Sequence, residues 1–123
     1  MPLAKNVMRA GLSAGAARAV NGNEVQAAIT AAGTTQGGAA ACEGDMNNIT
    51  TGTTGQGVIV SQYAMPGDSQ IFYNATTADL RVYPRTGQKI NQVATNGGVV
   101  LASYTALKLY LTSSTQWVGF LSA

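Results

Sequence analysis

Short apolar runs with every-second-residue alternation recur through the second half of the chain. Within residues 106–112, Leu107, Leu109 and Leu111 alternate with Lys108 and Tyr110, as in a strand with one buried face. Turn signals separate such runs at intervals of about 8 to 12 residues, the spacing typical of sandwiches and barrels. The pattern predicts six strands, at residues 57–63, 69–73, 80–83, 99–101, 106–112 and 116–121.

Proline and glycine mark the turns between these strands. Pro66 and Gly67 predict a turn over residues 65–68, because proline fixes one backbone angle and glycine supplies the other. Pro84 has no amide hydrogen and ends the strand before it, and Gly87 permits the reversal that follows. The chain has no long helical period in this half. We therefore predict an all-β fold, a small antiparallel β-sandwich or barrel of jelly-roll-like form.

The first half has a weaker pattern. Asn23 is a possible cap for a short helix that ends at Gly33, but the same stretch also suits an extended chain. From about Thr30 onward, β-branched residues and glycines favour extended structure. We predict an N-terminal arm at residues 1–30, itself extended, and a β-domain at residues 31–123.

Large side chains are confined to the second half. All eight aromatic residues lie beyond position 60: Tyr63, Phe72, Tyr73, Tyr83, Tyr104, Tyr110, Trp117 and Phe120. Aromatic residues bury the most apolar area per side chain, so the core is expected in the C-terminal half. Residues 1–57 offer mainly small side chains and are not expected to fold alone.

Charge is scarce. Only 10% of the residues are charged, against roughly 25% in an average soluble domain. Either other subunits cover much of the surface, or the surface is polar and uncharged, as in extracellular or fibrous proteins. The formal net charge of +2 is too small to indicate nucleic-acid binding. No stretch approaches the ~20 apolar residues of a membrane span, and basic residues interrupt the opening segment, so we expect no membrane partner and synthesis in the cytoplasm.

The residue types argue against an enzyme. The chain has no histidine, which excludes Ser-His-Asp and Cys-His catalysis, and its single cysteine, Cys42, cannot form an intramolecular disulfide. Glu43 and Asp45 form either a weak cation site or a solvated acidic turn. We expect no catalytic residue, no cofactor and no metal. A small hydrolase or lyase that uses carboxylates is the enzymatic alternative.

Four ordered pieces carry a resemblance. They are AAGTTQGGAA at residues 31–40, GQGVIV at 55–60, LRVYPRTGQKIN at 80–91 and VVLASYTALKLYLTSSTQWVGFL at 99–121. Together they resemble the capsid cement or decoration proteins of tailed double-stranded DNA bacteriophages, a family of small virion structural proteins. The resemblance implies a place on the capsid surface, with the major capsid protein as partner. Our hypothesis is a homotrimer that clasps the shell from outside.

Basic residues are the candidates for contact with the capsid: Lys5, Arg9, Arg18, Arg81, Arg85 and Lys89. The first three make the N-terminal segment locally basic, and the last three surround the Tyr-Pro turn. Each group is either a docking surface for an acidic partner or a solvated rim. A trimeric fibre or spike base that binds glycans is the rival hypothesis, with Tyr63, Tyr73 or Tyr104 as stacking platforms.

Overall fold

The computed structural model describes residues 24–122. The elements of this part are ten strands and one turn of 3₁₀ helix at Gln36–Gly38. The strands are β1 (Val25–Thr30), β2 (Ala40–Ala41), β3 (Met46–Thr51), β4 (Gly57–Ile59), β5 (Ser69–Asn74), β6 (Leu80–Tyr83), β7 (Lys89–Ile90), β8 (Val99–Leu101), β9 (Ala106–Ser113) and β10 (Gln116–Leu121). No α-helix occurs in this range, which confirms the all-β prediction.

The strands form two sheets. The large sheet has six strands in the order β1-β3-β5-β9-β10-β7, and the small sheet has four in the order β2-β4-β6-β8. From β1 to β6 the chain visits the two sheets alternately, so each strand lies beside the strand two positions earlier. This winding resembles a β-solenoid, in which successive turns stack their strands in parallel.

The antiparallel prediction is therefore wrong for the pairing among the first six strands. The pairs β1 with β3, β3 with β5, β2 with β4 and β4 with β6 are all parallel. Parallel neighbours need a long crossover, which is usually a helix. Here the crossover from β1 to β3, residues 31–45, passes through β2 in the other sheet, and residues 52–68 pass through β4. A strand takes the place of the helix, so the absence of a helical period did not imply antiparallel pairing.

Antiparallel pairing appears towards the C-terminal end. Strand β9 pairs antiparallel with β5 and with β10, and β8 pairs antiparallel with β6. The hairpin of β9 and β10 thus lies between β5 and β7, and β7 joins the large sheet by parallel pairing with β10. The described chain has a stacked part, β1 to β6, continued by mainly antiparallel strands.

One hydrophobic core lies between the two sheets. Trp117 and Phe72 are its largest fully buried side chains, and Leu107, Leu109 and Leu111 are buried as their alternation predicts. The first half also contributes, because Ile29, Cys42 and Ile49 belong to the same cluster. The expectation of a core confined to the second half is thus wrong. Aliphatic residues from the first half thus pack in the same core as the aromatic residues of the second half.

All six predicted strands are present. The first is shorter than expected: β4 ends at Ile59, because the chain turns a corner between the sheets after Val60. The helix considered before Gly33 does not form in the described part, where Val25–Thr30 is strand β1 of the large sheet. Its cap residue, Asn23, lies outside the described residues. The arm boundary at residue 30 stays a prediction, since residues 1–23 also lie outside them.

Candidate interaction surfaces

Of the predicted basic contact residues, the three that the structure describes do not form one patch. Lys5, Arg9 and Arg18 lie outside the described residues. Arg81 is exposed on β6 in the small sheet, where it pairs with Val100 of β8. Arg85 lies at a corner between the sheets, and Lys89 lies on β7 in the large sheet. These three residues are close in sequence and were expected around one turn, but the structure places them on three different surfaces.

The corner that contains Arg85 is a stack of polar side chains. Ala41, Ile59 and Tyr83 occupy equivalent positions on β2, β4 and β6, so Glu43, Ser61 and Arg85 follow at equivalent positions on three successive turns. The Arg85 guanidinium donates to Glu43 Oε1 at 3.2 Å and through Nε to the Val60 carbonyl at 2.8 Å. The Ser61 hydroxyl donates to Glu43 Oε2. Arg85 is therefore held by the fold and is less free to contact a partner.

Buried amide side chains support this corner. Gln70, 4% exposed, donates to the carbonyls of Cys42 and Gly44 and accepts from the Ser61 amide. Asn47, fully buried, accepts from the Gly44 amide and donates to the Gly44 carbonyl. Buried polar groups are costly unless they are paired, and here they satisfy backbone groups that the turning chain cannot pair. These bonds give the corner a fixed shape.

Acidic side chains gather at the same corner, which we call the acidic corner (residues 24, 43–45 and 61–68). Glu43, Asp45 and Asp68 line an open cavity of about 190 Å³ together with Ser61 and Tyr63. The Asp45 carboxylate also accepts from the Glu24 amide at 3.2 Å. Burial raises the pKa of Asp45, and the nearby charge of Asp68 raises it further. Four of the chain's five acidic residues thus lie in one region.

Two exposed apolar side chains accompany these acids. Tyr63 is 76% exposed and Met65 is 69% exposed. They lie in the loop that crosses from β4 to β5, whose turn forms as predicted: the Asp68 amide donates to the Met65 carbonyl, and Gly67 has a φ of +100°. The acidic corner therefore combines negative charge with accessible apolar area.

The outer surface of the large sheet, which we call the apolar face, is the second notable surface. Pairing places Val25, Met46, Ile71, Lys108 and Phe120 in one row across β1, β3, β5, β9 and β10. A second row contains Ser69, Tyr110 and Val118. Val25 is 66% exposed and Phe120 is 64% exposed. A sheet surface in contact with water is normally polar, so this surface is unusual.

Aromatic contacts are already formed on the apolar face. The rings of Tyr110 and Phe120 pack edge to face with centroids 6.4 Å apart, and the Lys108 ammonium lies 5.2 Å from the Tyr110 ring centre. The six strands of the large sheet contain two charged residues, Lys89 and Lys108. The apolar face therefore carries positive charge and no carboxylate from its strands.

Sequence reasoning missed this face. Phe120 and Val118 were assigned to a strand but not to a surface, since β10 has apolar residues on both sides. The signal lies in the register, because only pairing shows that Val25 and Phe120 share a row although 95 positions separate them. Of the tyrosines considered for glycan stacking, Tyr63 and Tyr104 are exposed and Tyr73 is half-buried on the apolar face.

Other polar expectations have these outcomes. Asp79 and Arg81 lie two positions apart but form no ion pair in the described structure, where Asp79 Oδ1 accepts from the Ser103 amide at 3.2 Å. Cys42 is fully buried, and burial raises its thiol pKa to about 12.

Among residues 24–122, no three histidine, cysteine or acidic side chains form a group that could hold a metal ion. Nor does any helix in this range have the length and apolar character needed to cross a membrane.

A comparison with known proteins found no matching family model, no matching curated protein and no matching solved structure.

Proposed function

We propose that the protein is a structural subunit of a tailed-bacteriophage virion, a decoration or cement protein that binds the outside of the capsid as a homotrimer. Its partners are the major capsid protein and further copies of itself, with no role for nucleic acid or membrane. In this proposal it is not an enzyme. The phage assignment rests on the resemblance of residues 31–121 to that family.

The observation that carries the assembly function is the apolar face. Large exposed apolar patches on a folded protein mark sites of association, since water contact with them is unfavourable. The scarcity of charge in the whole chain, 10% of residues, agrees with a surface that other subunits cover. We treat the body as a sandwich of two facing sheets wound like a β-solenoid, rather than as an antiparallel jelly roll.

The mechanism is thermodynamic linkage. A protein that binds the assembled shell, and not its free subunits, stabilises the shell by an amount that grows with the concentration of free protein. No covalent chemistry is needed. The rigid corner of Glu43, Ser61 and Arg85 suits this role, because a rigid body loses little conformational freedom when it binds. In this proposal the basic residues of the N-terminal segment, Lys5, Arg9 and Arg18, reach neighbouring capsid subunits.

The test is direct binding to shells. Purified protein is mixed with empty expanded capsids of its phage, and bound copies are counted by electron microscopy. The proposal predicts saturation at the local threefold or quasi-threefold positions of the shell. Density confined to a tail or a vertex, or no added density, contradicts it.

Glycan recognition by a fibre or spike base is the second candidate. It is favoured by Tyr63, which is largely exposed beside the open cavity that Glu43, Asp45 and Asp68 line. An aromatic ring next to carboxylates provides stacking and hydrogen-bond acceptors for sugar hydroxyls. Screening against host surface polysaccharide tests this candidate, with Tyr63→Ala as the variant and Tyr104→Ala as the matched control. Loss of binding with Tyr63→Ala alone supports it, and the absence of polysaccharide binding to the unaltered protein rejects it.

A further inference from the structure

We propose that the apolar face is the self-association surface, and that its occupant is the acidic corner of a second copy of this chain. The inference rests on the proposed function, which requires a homotrimer, and it names the two surfaces that form the trimer. A threefold ring needs a contact between two different surfaces, so that each subunit offers one surface to each neighbour.

The area of the apolar face suits such a contact. Strands β1, β3, β5, β9 and β10, of six to eight residues and about 4.8 Å in width each, cover roughly 24 by 20 Å, on the order of 500 Å². The matching surface of a second subunit brings the total to about 1,000 Å², the lower range for a specific interface. Each subunit of a ring takes part in two such contacts. Three chains are then held by about three times this area.

The chemistry of the two surfaces is complementary. The apolar face presents Phe120 and Val25 with the charges of Lys89 and Lys108. The acidic corner presents exposed Tyr63 and Met65 with three carboxylates around an open cavity. If two copies of the apolar face met, their lysines would lie close together and repel each other, because the strands of this face provide no carboxylate to pair with them. Contact between the apolar face and the acidic corner pairs opposite charges and buries apolar side chains on both sides.

The arrangement of the acidic side chains agrees with this contact. Burial raises the pKa of Asp45 most, the charge of Asp68 raises it further, and Glu43 already has Arg85 as its partner. An ammonium group from the second copy would relieve the repulsion between Asp45 and Asp68. The Lys108 ammonium lies over the Tyr110 ring on the exposed side of β9, where a carboxylate of a second copy can reach it.

Analytical ultracentrifugation of full-length variants tests the proposal. Phe120→Glu alters the apolar face, Tyr63→Glu alters the acidic corner, and Val100→Glu is the matched control, since Val100 is 46% exposed on the small sheet. We expect the unaltered protein and Val100→Glu to sediment as trimers. We expect both other variants to associate at least tenfold more weakly. Val25→Glu is a second apolar-face variant in case Phe120→Glu does not fold, and emission from buried Trp117 reports folding.

Mixing the two weakened variants separates this arrangement from a symmetric one. Phe120→Glu keeps its acidic corner and Tyr63→Glu keeps its apolar face, so one intact contact forms and the mixture should contain heterodimers. Three results would overturn the inference. They are an unaltered protein that is monomeric, a Tyr63→Glu trimer as stable as the unaltered trimer, and a mixture that contains no heterodimers. A monomer that still saturates shells overturns the inference and the trimeric state, but leaves the shell-binding part of the proposed function standing. A trimer with the expected variant effects that never binds shells overturns only the proposed function.

Discussion

The guanidinium of Arg85 lies 3.2 Å from the carboxylate of Glu43, although 42 positions separate the two residues in sequence. They meet because they occupy the same position on different turns of the winding, with Ser61 at that position on the turn between them. The contact therefore reports the parallel stacking of the small sheet. Arg85 also bonds the Val60 carbonyl, so one side chain joins three turns.

Replacing Arg85 should weaken the fold. Arg85→Ala removes two charge-assisted hydrogen bonds and leaves the Glu43 carboxylate half-buried without its cation. Because the pair is partly exposed, we expect a loss of about 1–2 kcal/mol in the free energy of unfolding, measured by urea denaturation. Exposed Arg81 provides the matched control, and Arg81→Ala should change stability by less than about 0.5 kcal/mol. Equal effects of the two variants would contradict the described corner.

Close packing of glycine against Tyr83 gives a second prediction. A methyl group on Gly57 would lie 2.5 Å from the Tyr83 ring, whereas one on Gly37 would meet nothing within 4 Å. Gly57→Ala should therefore destabilise the protein by about 1–3 kcal/mol. Gly37→Ala should leave stability unchanged or slightly increase it. Thermal unfolding followed by circular dichroism measures both, and a neutral Gly57→Ala would mean that β4 and β6 pack differently.

The Cys42 thiol provides a pH-dependent prediction. Burial raises its pKa from 9.0 to about 12, and the neighbouring charge of Glu43 adds to the rise. The unfolded chain loses the thiol proton above about pH 9, while the folded chain keeps it until about pH 12. The free energy of unfolding should therefore fall between these pH values more steeply than in Cys42→Ala. At pH 8 the native thiol should not react with a disulfide reagent until the protein unfolds, and rapid native reaction would contradict its burial.

Local strand structure was accessible from the sequence, but strand pairing was not. The alternation of Leu107, Leu109 and Leu111 identified β9, because period-two burial depends only on neighbours in the chain. Parallel stacking of β1, β3 and β5 depends on contacts across 20 or more positions, and no local pattern encodes it. The short strands β2 and β7, two residues each, are defined by their partners alone.

Burial was harder to predict where a loop covers a sheet. Tyr83 lies on the same side of β6 as exposed Arg81, yet it is buried; its hydroxyl donates to the carbonyl of Thr34 in the loop that covers this side. An asparagine side chain in a turn commonly bonds its own backbone, but the side-chain oxygen of Asn91 accepts from the Gly119 amide of β10 at 2.9 Å. Both outcomes depend on segments that are distant in sequence, which is also why the apolar face was missed.

The N-terminal segment should affect shell binding and not self-association. Removing residues 1–22 deletes Lys5, Arg9 and Arg18 but keeps every strand of the described fold. We expect the shortened protein to remain a trimer by sedimentation and to bind shells at least tenfold more weakly. Reversing the three charges in the full chain, with Lys5→Glu, Arg9→Glu and Arg18→Glu, should have the same effect. Unchanged shell affinity in both variants would remove the segment from the proposed interface.

The thermal stability of the shell tests the central claim most directly. Empty expanded capsids are heated in a calorimeter with increasing concentrations of the protein. Selective binding to the assembled shell stabilises each site by about 2.7 kcal/mol at a free concentration 100 times the dissociation constant. The account predicts that the disruption temperature rises with concentration and that Phe120→Glu, which weakens the trimer, produces a smaller rise. A disruption temperature that stays constant while the protein remains folded would contradict it.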